Sequence, residues 1–470
     1  MNAVAAGRPW RRAAAWLALL APFFYLSYGL ANHLAAARAA VPSVVFGWEQ
    51  HIPFWDWTIF PYWSLNAFYG LSLFLATRRR ELDRHAARLL TAQCVAVACF
   101  IAFPLQYSFG QPAAEGAAGW LFAALHGFDK PFNQAPSLHV ALVVILWDLY
   151  RRRITAPWAR ALLHGWSLLI VGSVLTTYQH HFIDIPTGAL LGLLCVWAWP
   201  LESRVSMARA WRRTADGRRR RLAACYAAAA LACAALAFAG APAAAPLALL
   251  MVWPAMSLGM VALAYAGLGR RGFQTDGRGR MPWAARLLLA PYLIAARLNA
   301  RLWTRGLPPA REVLPGLSLA SLERLGGGPP RALLSLCAEL PVPRALGAGD
   351  AQRVRCLPML DLVPAEPARL RAAAAWIDTA RGRGLPVVVA CALGFSRSAA
   401  VVACWLLRSG HATSVDEAVR LIRRVHPQAV LDEAWRQAIH AACAPAAPRA
   451  ATLSITPGGH GVPLRAGVAP

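Results

Sequence analysis

Eight apolar stretches, at about 13–31, 57–77, 88–109, 138–150, 160–178, 185–200, 222–240 and 244–268, occupy most of the first 270 residues. A helix needs about 20 apolar residues to cross a bilayer core about 30 Å thick, so most of these stretches are long enough to span. The fourth and sixth are short, and their polar flanks extend them into the interface. Hydrophobic residues make up 58% of the chain and its mean hydropathy is +0.42, both above the level of a soluble globular protein. The chain therefore reads as multi-pass and α-helical over this region.

Arginine supplies the topology. The formal net charge is +26, and Lys130 is the only lysine. Such a charge could suit nucleic acid, but here the arginines cluster beside apolar stretches, which is the pattern of membrane orientation. Arg8, Arg11 and Arg12 precede the first stretch, and RRRELDR follows the second. RRR at 151–153 follows the fourth, WRRTADGRRRR at 211–221 the sixth, and GRRGFQTDGRGR the eighth. The loops between carry little beyond Arg38 and Lys130. Eight spans with both ends in the cytoplasm satisfy every alternation. The first stretch could be a cleavable leader, but its length and its FFYLSY segment favour an uncleaved anchor.

WAARLLLAPYLIAARLNARLW, at 283–303, is apolar on one side and arginine-bearing on the other. It reads as an interfacial helix on an anionic inner leaflet; a ninth span would instead carry the C-terminal domain outside. GLPPAREVLPG then links into a soluble domain, and the Ala/Pro/Gly-rich tail lacks periodicity and reads as disordered. The expected units are 1–205, a first membrane domain; 206–282, two added spans with basic loops; 283–311, helix and linker; 312–445, the soluble domain; and 446–470, the tail. The ten cysteines form no C-x-x-C pair and no Cys/His ligand spacing, so neither a disulfide framework nor a metal site is expected. Cys94, Cys99, Cys195, Cys225 and Cys233 fall inside apolar runs, as small hydrophobes do.

Two polar segments interrupt the membrane half on its outer side. NQAPSLHVALVV places Ser137 and His139 at the start of the fourth stretch, and TTYQHHFIDIPTGALLG places His180 four residues before Asp184 at the sixth. Four apart puts the two on one helical face, where a carboxylate can orient an imidazole. An ordinary interfacial histidine explains either segment alone. Together they stand on one membrane face, where ionisable groups are candidates for function. The residues resemble the P-S-x-H and H-x-x-x-D motifs of the type 2 phosphatidic acid phosphatase superfamily, in its branch of inositol and sphingolipid phosphotransferases. That resemblance implies a six-helix core, His180 as nucleophile, Asp184 raising its basicity and His139 as the acid for the leaving alkoxide. His181, three from Asp184, is the competing nucleophile. The Lys-x6-Arg-Pro motif of the phosphatase branch is absent, and Ser173-Val174 stands where the third motif carries Ser-Arg. The cationic partner is then unassigned, with Lys130, nine residues before His139, as candidate.

Near the other end, LPVVVA reads as a buried strand and SAAVVACWLL as a helix, with CALGFSRS between them. Cys391, five intervening residues and Arg397-Ser398 set a thiol in a loop at a helix N-terminus, where backbone N–H groups cradle an anion. Gly394 permits the tight turn, and Arg397 can clamp two phosphate oxygens. A buried cysteine and an arginine six apart by chance would lack this strand–loop–helix setting. The pattern matches the C-x5-R-S signature of tyrosine and dual specificity phosphatases, which implies a soluble α/β domain and two-step hydrolysis. It implies that Cys391 attacks, Asp361 (thirty positions earlier) protonates the leaving group, and Ser398 stabilises the departing thiolate. The phosphate cradle would be Ala392, Leu393, Gly394, Phe395, Ser396 and Arg397, with Ser137 and Lys130 serving the membrane half. Ser414 and Glu417 form a capping box on a later helix. The residue before the thiol is Ala390 where the family commonly has His, and 392–396 carries no base, which speaks against polyphosphoinositides.

Together these readings describe a bifunctional membrane phosphatase of the bacterial inner membrane, with an outward His/His/Asp site and a cytoplasmic Cys-x5-Arg site. No cofactor is expected. The partners are membrane lipids and a phosphorylated lipid or phosphoprotein substrate, not nucleic acid. Two alternatives stand beside it: headgroup transfer between lipids in the membrane half, and a non-catalytic anchor or sensor for the cysteine phosphatase.

Overall fold

The computed structural model describes residues 8–202, 206–239, 245–326, 332–347 and 353–444; the expected disordered tail and the 205/206 boundary lie outside these residues. Among them, five helices are long and apolar enough to cross a membrane: Trp10–Ala36, Arg79–Ala102, Pro157–Thr176, Gly217–Ala237 and Met251–Gly272. In chain order the helical region runs α1 (Trp10–Ala36), α2 (Ile59–Phe74), α3 (Arg79–Ala102), α4 (Gly116–His126), α5 (Leu138–Tyr150), α6 (Pro157–Thr176), α7 (Asp184–Ala198), α8 (Met207–Ala210), α9 (Gly217–Ala239) and α10 (Ala245–Leu263). The eight expected stretches thus give helices of unequal reach. At about 1.5 Å per residue, α5 and α7 extend only about 20 Å. Helix α4 was not among the expected elements.

Why α5 and α7 sit at the centre of the bundle is explained by two glycines. A Cβ at Gly188 would lie 2.4 Å from the Ser137 carbonyl oxygen, and one at Gly192 would lie 2.7 Å from that of Ala141. This small-xxx-small spacing brings the α7 backbone against α5, as in close-packed membrane helix pairs. At the far end of α5, Asp148 pairs with buried Arg88 of α3 at 3.0 Å, with Arg151 at 2.6 Å and with Arg152 at 3.1 Å. The Trp283 indole N–H also donates to Asp148, at 2.8 Å. The arginine-rich turns therefore gather at one end of α5, and Ser137 and His139 lie at the other.

The segment 283–303 is two helices, α11 (Trp283–Leu288) and α12 (Ala290–Trp303), where a single helix was expected. Pro291 stands in the first turn of α12, where its missing N–H costs nothing, and this restarts the helix. On α12, Ile294, Leu298, Leu302 and Trp303 are exposed, while Arg297 and Arg301 both reach Glu323 at 3.3 Å.

The soluble domain holds β1 (Ala310–Leu314), β2 (Leu317–Ser321), β3 (Ala332–Cys337), α13 (Arg344–Gly347), β4 (Val354–Met359), α14 (Pro367–Arg381), β5 (Val387–Cys391), α15 (Arg397–Arg408), α16 (Val415–Val425) and α17 (Glu433–Cys443). The sheet order is β1-β2-β5-β3-β4, with β1 antiparallel to β2 and the other pairings parallel. Every residue of β3 and β5 is buried, as expected of central parallel strands. A loop of the helical region closes the β4 edge. The Cys356 N–H donates to Gly277 O at 2.8 Å, and the Val342 N–H donates to Gly279 O at 2.9 Å. Gly279 has φ +73°, and a Cβ there would lie 2.2 Å from Val342 Cγ2, so the dock is closely fitted.

Candidate active sites

Cys391 ends β5, the middle strand, so its side chain stands at the carboxyl edge of the parallel strands, where α/β folds bind ligands. The loop then turns through Gly394, whose φ is +86°, and closes at Arg397, the first residue of α15. Its shape is fixed from outside: Ser321 Oγ donates to Ala392 O at 2.6 Å, and the Val430 N–H donates to Phe395 O at 3.0 Å. Inside, the Gly394 N–H points at Cys391 Sγ at 3.2 Å, and Ser398 Oγ stands 3.4 Å from the same sulfur. Thiol, hydroxyl and helix N-terminus converge as the spacing predicts.

Arg397 is buried and meets two acids. Its Nη1 and Nη2 donate to the two oxygens of Glu339 at 2.9 and 2.7 Å, a bidentate pair, and Nη2 lies 3.0 Å from Asp361 Oδ1. Nη1 also donates to Met359 O at 3.1 Å. Burial pushes the guanidinium pKa down, but Asp361 and Glu339 outweigh this and hold it well above its ordinary value. The remaining donor, Nε, is buried without a partner. Asp361 is about one-third exposed, at 36%, whereas Glu339 is buried. Glu339 escaped the sequence reading. Its signal is a lone acid closing a buried apolar strand, in LLSLCAELP.

The expected residues of the membrane half also come together. His180 Nδ1 bonds Asp184 Oδ2 at 3.0 Å, and His180 Nε2 lies 3.4 Å from Ser137 Oγ. The route differs from the expected shared helical face. Asp184 opens α7, and His180 lies in the turn before it. His181 is tied at both nitrogens: Nε2 accepts from the Ser108 N–H at 3.2 Å, so Nδ1 donates to Glu49 at 2.8 Å. His180 differs in lining a cavity, which His181 does not. His139 is stacked on Tyr62 at 4.0 Å between ring centroids, and its Nε2 is buried without a partner. An apolar cavity of about 210 Å³ between α1, α2 and α5 is lined by both His139 and His180. A second cavity, of about 230 Å³ and mostly polar, is lined by Lys130, Gln134 and His180. Tyr28 and Asp129 border both cavities, and the Tyr28 hydroxyl donates to Asp129 at 3.3 Å. Sequence reading passed over Asp129 and Glu49, because neither belongs to a local motif.

The dual specificity phosphatase catalytic domain family matches residues 334–442. This C-terminal region is a dual specificity phosphatase domain. Among solved structures, Tk-PTP in its active form is 21% identical, with 29% of this chain and 97% of that one covered at a TM-score of 0.25. Human DUSP28 is 26% identical over 28% of this chain and 91% of its own, also at 0.25. PTPMT1, solved in complex with PI(5)P, is 18% identical over 28% and 92%, at 0.24. No curated protein matches the chain. The type 2 phosphatidic acid phosphatase family gives no match to the helical region.

Proposed function

We propose that the chain is a membrane-embedded phosphatase whose C-terminal site hydrolyses phosphate monoesters through Cys391. The observation that carries this reading is Arg397: Glu339 fixes its guanidinium from behind, while Nε, buried and unpartnered, remains for a phosphate oxygen. In the first step the Cys391 sulfur bonds to phosphorus, the P–O bond to the leaving group breaks, and Asp361 gives its proton to the departing oxygen. In the second step water bonds to phosphorus as the S–P bond breaks. Asp361 takes the water proton, and Ser398 donates to the departing thiolate. The exposed apolar stripe of α12 favours substrates at a membrane surface.

For the helical half, the reading is eight spans around a lipid phosphoryl site. Here α5 and α7 are completed by their polar flanks, His180 is the nucleophile and Asp184 orients it. Asp129 favours a phosphodiester over a phosphomonoester as the substrate of this site, because the diester brings less negative charge to this acid.

Phosphate release by the full chain in lipid nanodiscs tests both sites. Cys391→Ser should lower turnover of p-nitrophenyl phosphate by about 10⁴-fold or more, and His180→Ala should leave it within two-fold. Turnover that survives in Cys391→Ser would overturn the assignment. His180→Ala should abolish turnover of a lipid substrate that persists in Cys391→Ser; activity surviving in the double variant would overturn the His180 role.

A further inference from the structure

The two acids that face Arg397 stand beside backbone carbonyls held by the helical half. The Tyr265 hydroxyl donates to Asp361 O at 3.0 Å, and the Thr275 hydroxyl donates to Ala338 O, one residue before Glu339, at 2.6 Å. Tyr265 lies in the turn that ends the α10 span, and it is buried in a stack with Tyr226 of α9 at 5.5 Å between centroids. Tyr226 in turn meets Tyr292 of α12 edge-on at 5.9 Å. Ala338, Leu360 and Val363, on either side of the two acids, pack into the helical core rather than the core of their own domain. The carbonyl that Tyr265 grips belongs to the peptide between Asp361 and Leu362, and Leu362 has φ +57°. A left-handed conformation is strained for a leucine, so it persists only where its surroundings hold it.

From these contacts we infer that Tyr265 and Thr275 are positioning residues for the phosphatase reaction. The last two spans then complete the cysteine site rather than merely tethering it. Tyr265 sets the acid loop so that Asp361 meets the leaving oxygen. Thr275 sets the Glu339 segment so that Arg397 presents Nε to phosphate. The inference rests on the reading of Cys391 and Asp361 given above.

The test uses the full chain in nanodiscs and kcat/KM for two substrates that differ in leaving group, phenyl phosphate (poor) and p-nitrophenyl phosphate (good). Tyr265→Phe keeps the ring stack and removes only the hydroxyl. It should lower kcat/KM for phenyl phosphate about ten-fold and for p-nitrophenyl phosphate about two-fold, because acid assistance matters most when the leaving group is poor. Thr275→Val should weaken inhibition by inorganic phosphate about ten-fold without that leaving-group difference, and Thr275→Ser should restore it. Equal losses on both substrates in Tyr265→Phe, or no loss, would overturn the inference, as would Thr275→Val inhibited like wild type. A wild-type protein whose turnover does not depend on Cys391 would instead overturn the underlying function.

Discussion

Cys391 and His180 are both nucleophile candidates with buried acids close by, yet they are assembled in opposite ways. The thiol and its cradle come from seven consecutive residues, and the strand-to-helix turn that carries them creates the anion site from backbone N–H groups. The imidazole site draws on Asp129 and Lys130, on Ser137 and His139, and on the turn from His180 to Asp184, segments that meet only when α7 packs on α5. Charge also differs. At Cys391 a buried guanidinium answers Glu339 and Asp361, and one of its donors is left over. At His180 the lysine is exposed, and two acids, Asp129 and Asp184, lie close by. The cysteine site holds its nucleophile and cradle in one segment and takes only its acids and their supports from elsewhere, whereas every part of the imidazole site depends on the packing beneath it.

That contrast can be broken in either direction. After loss of the thiol itself, the next largest effect is expected at Arg397: Arg397→Lys should cost about 10³-fold in p-nitrophenyl phosphate turnover, because an ammonium lacks the planar fork that holds Glu339 bidentately while presenting Nε to phosphate. It should leave lipid turnover at His180 unchanged. A smaller effect, in the opposite half, is expected from Gly188→Leu. Its side chain must push α7 away from the Ser137 carbonyl that a Cβ would approach to 2.4 Å. Moving His180 off Ser137 by even an ångström should cost about 100-fold in lipid turnover and leave the Cys391 reaction intact. Equal losses in both reactions for either variant would show that the two sites are not separable as described.

Legibility in the sequence divides along the same line. The strand, the loop, the helix after it and Asp361 were all readable, because each is a short segment whose residues specify it. Glu339 was not, since its role depends on β3 lying beside β5. Tyr265 and Thr275 were hidden further, in an apolar run and a basic loop whose contacts are with another part of the chain. In the helical half, residue chemistry pointed to His180 and Asp184, but their shared helical face proved to be a turn. Eleven-residue α4 fell below the length at which an apolar run signals a span. The break between α11 and α12 is signalled by Pro291, which the reading of 283–303 as one helix left unused.

The central claim is that phosphoryl groups pass through Cys391. Rapid quench of the full chain with a phosphorus-labelled aryl phosphate, with peptide mapping of the quenched protein, tests it most directly. The account predicts label on the peptide bearing Cys391, more of it in Asp361→Asn, where hydrolysis of the S–P bond is slowed, and none in Cys391→Ser. Label on the His180 peptide with Cys391 unmodified, during turnover of that same substrate, would contradict it.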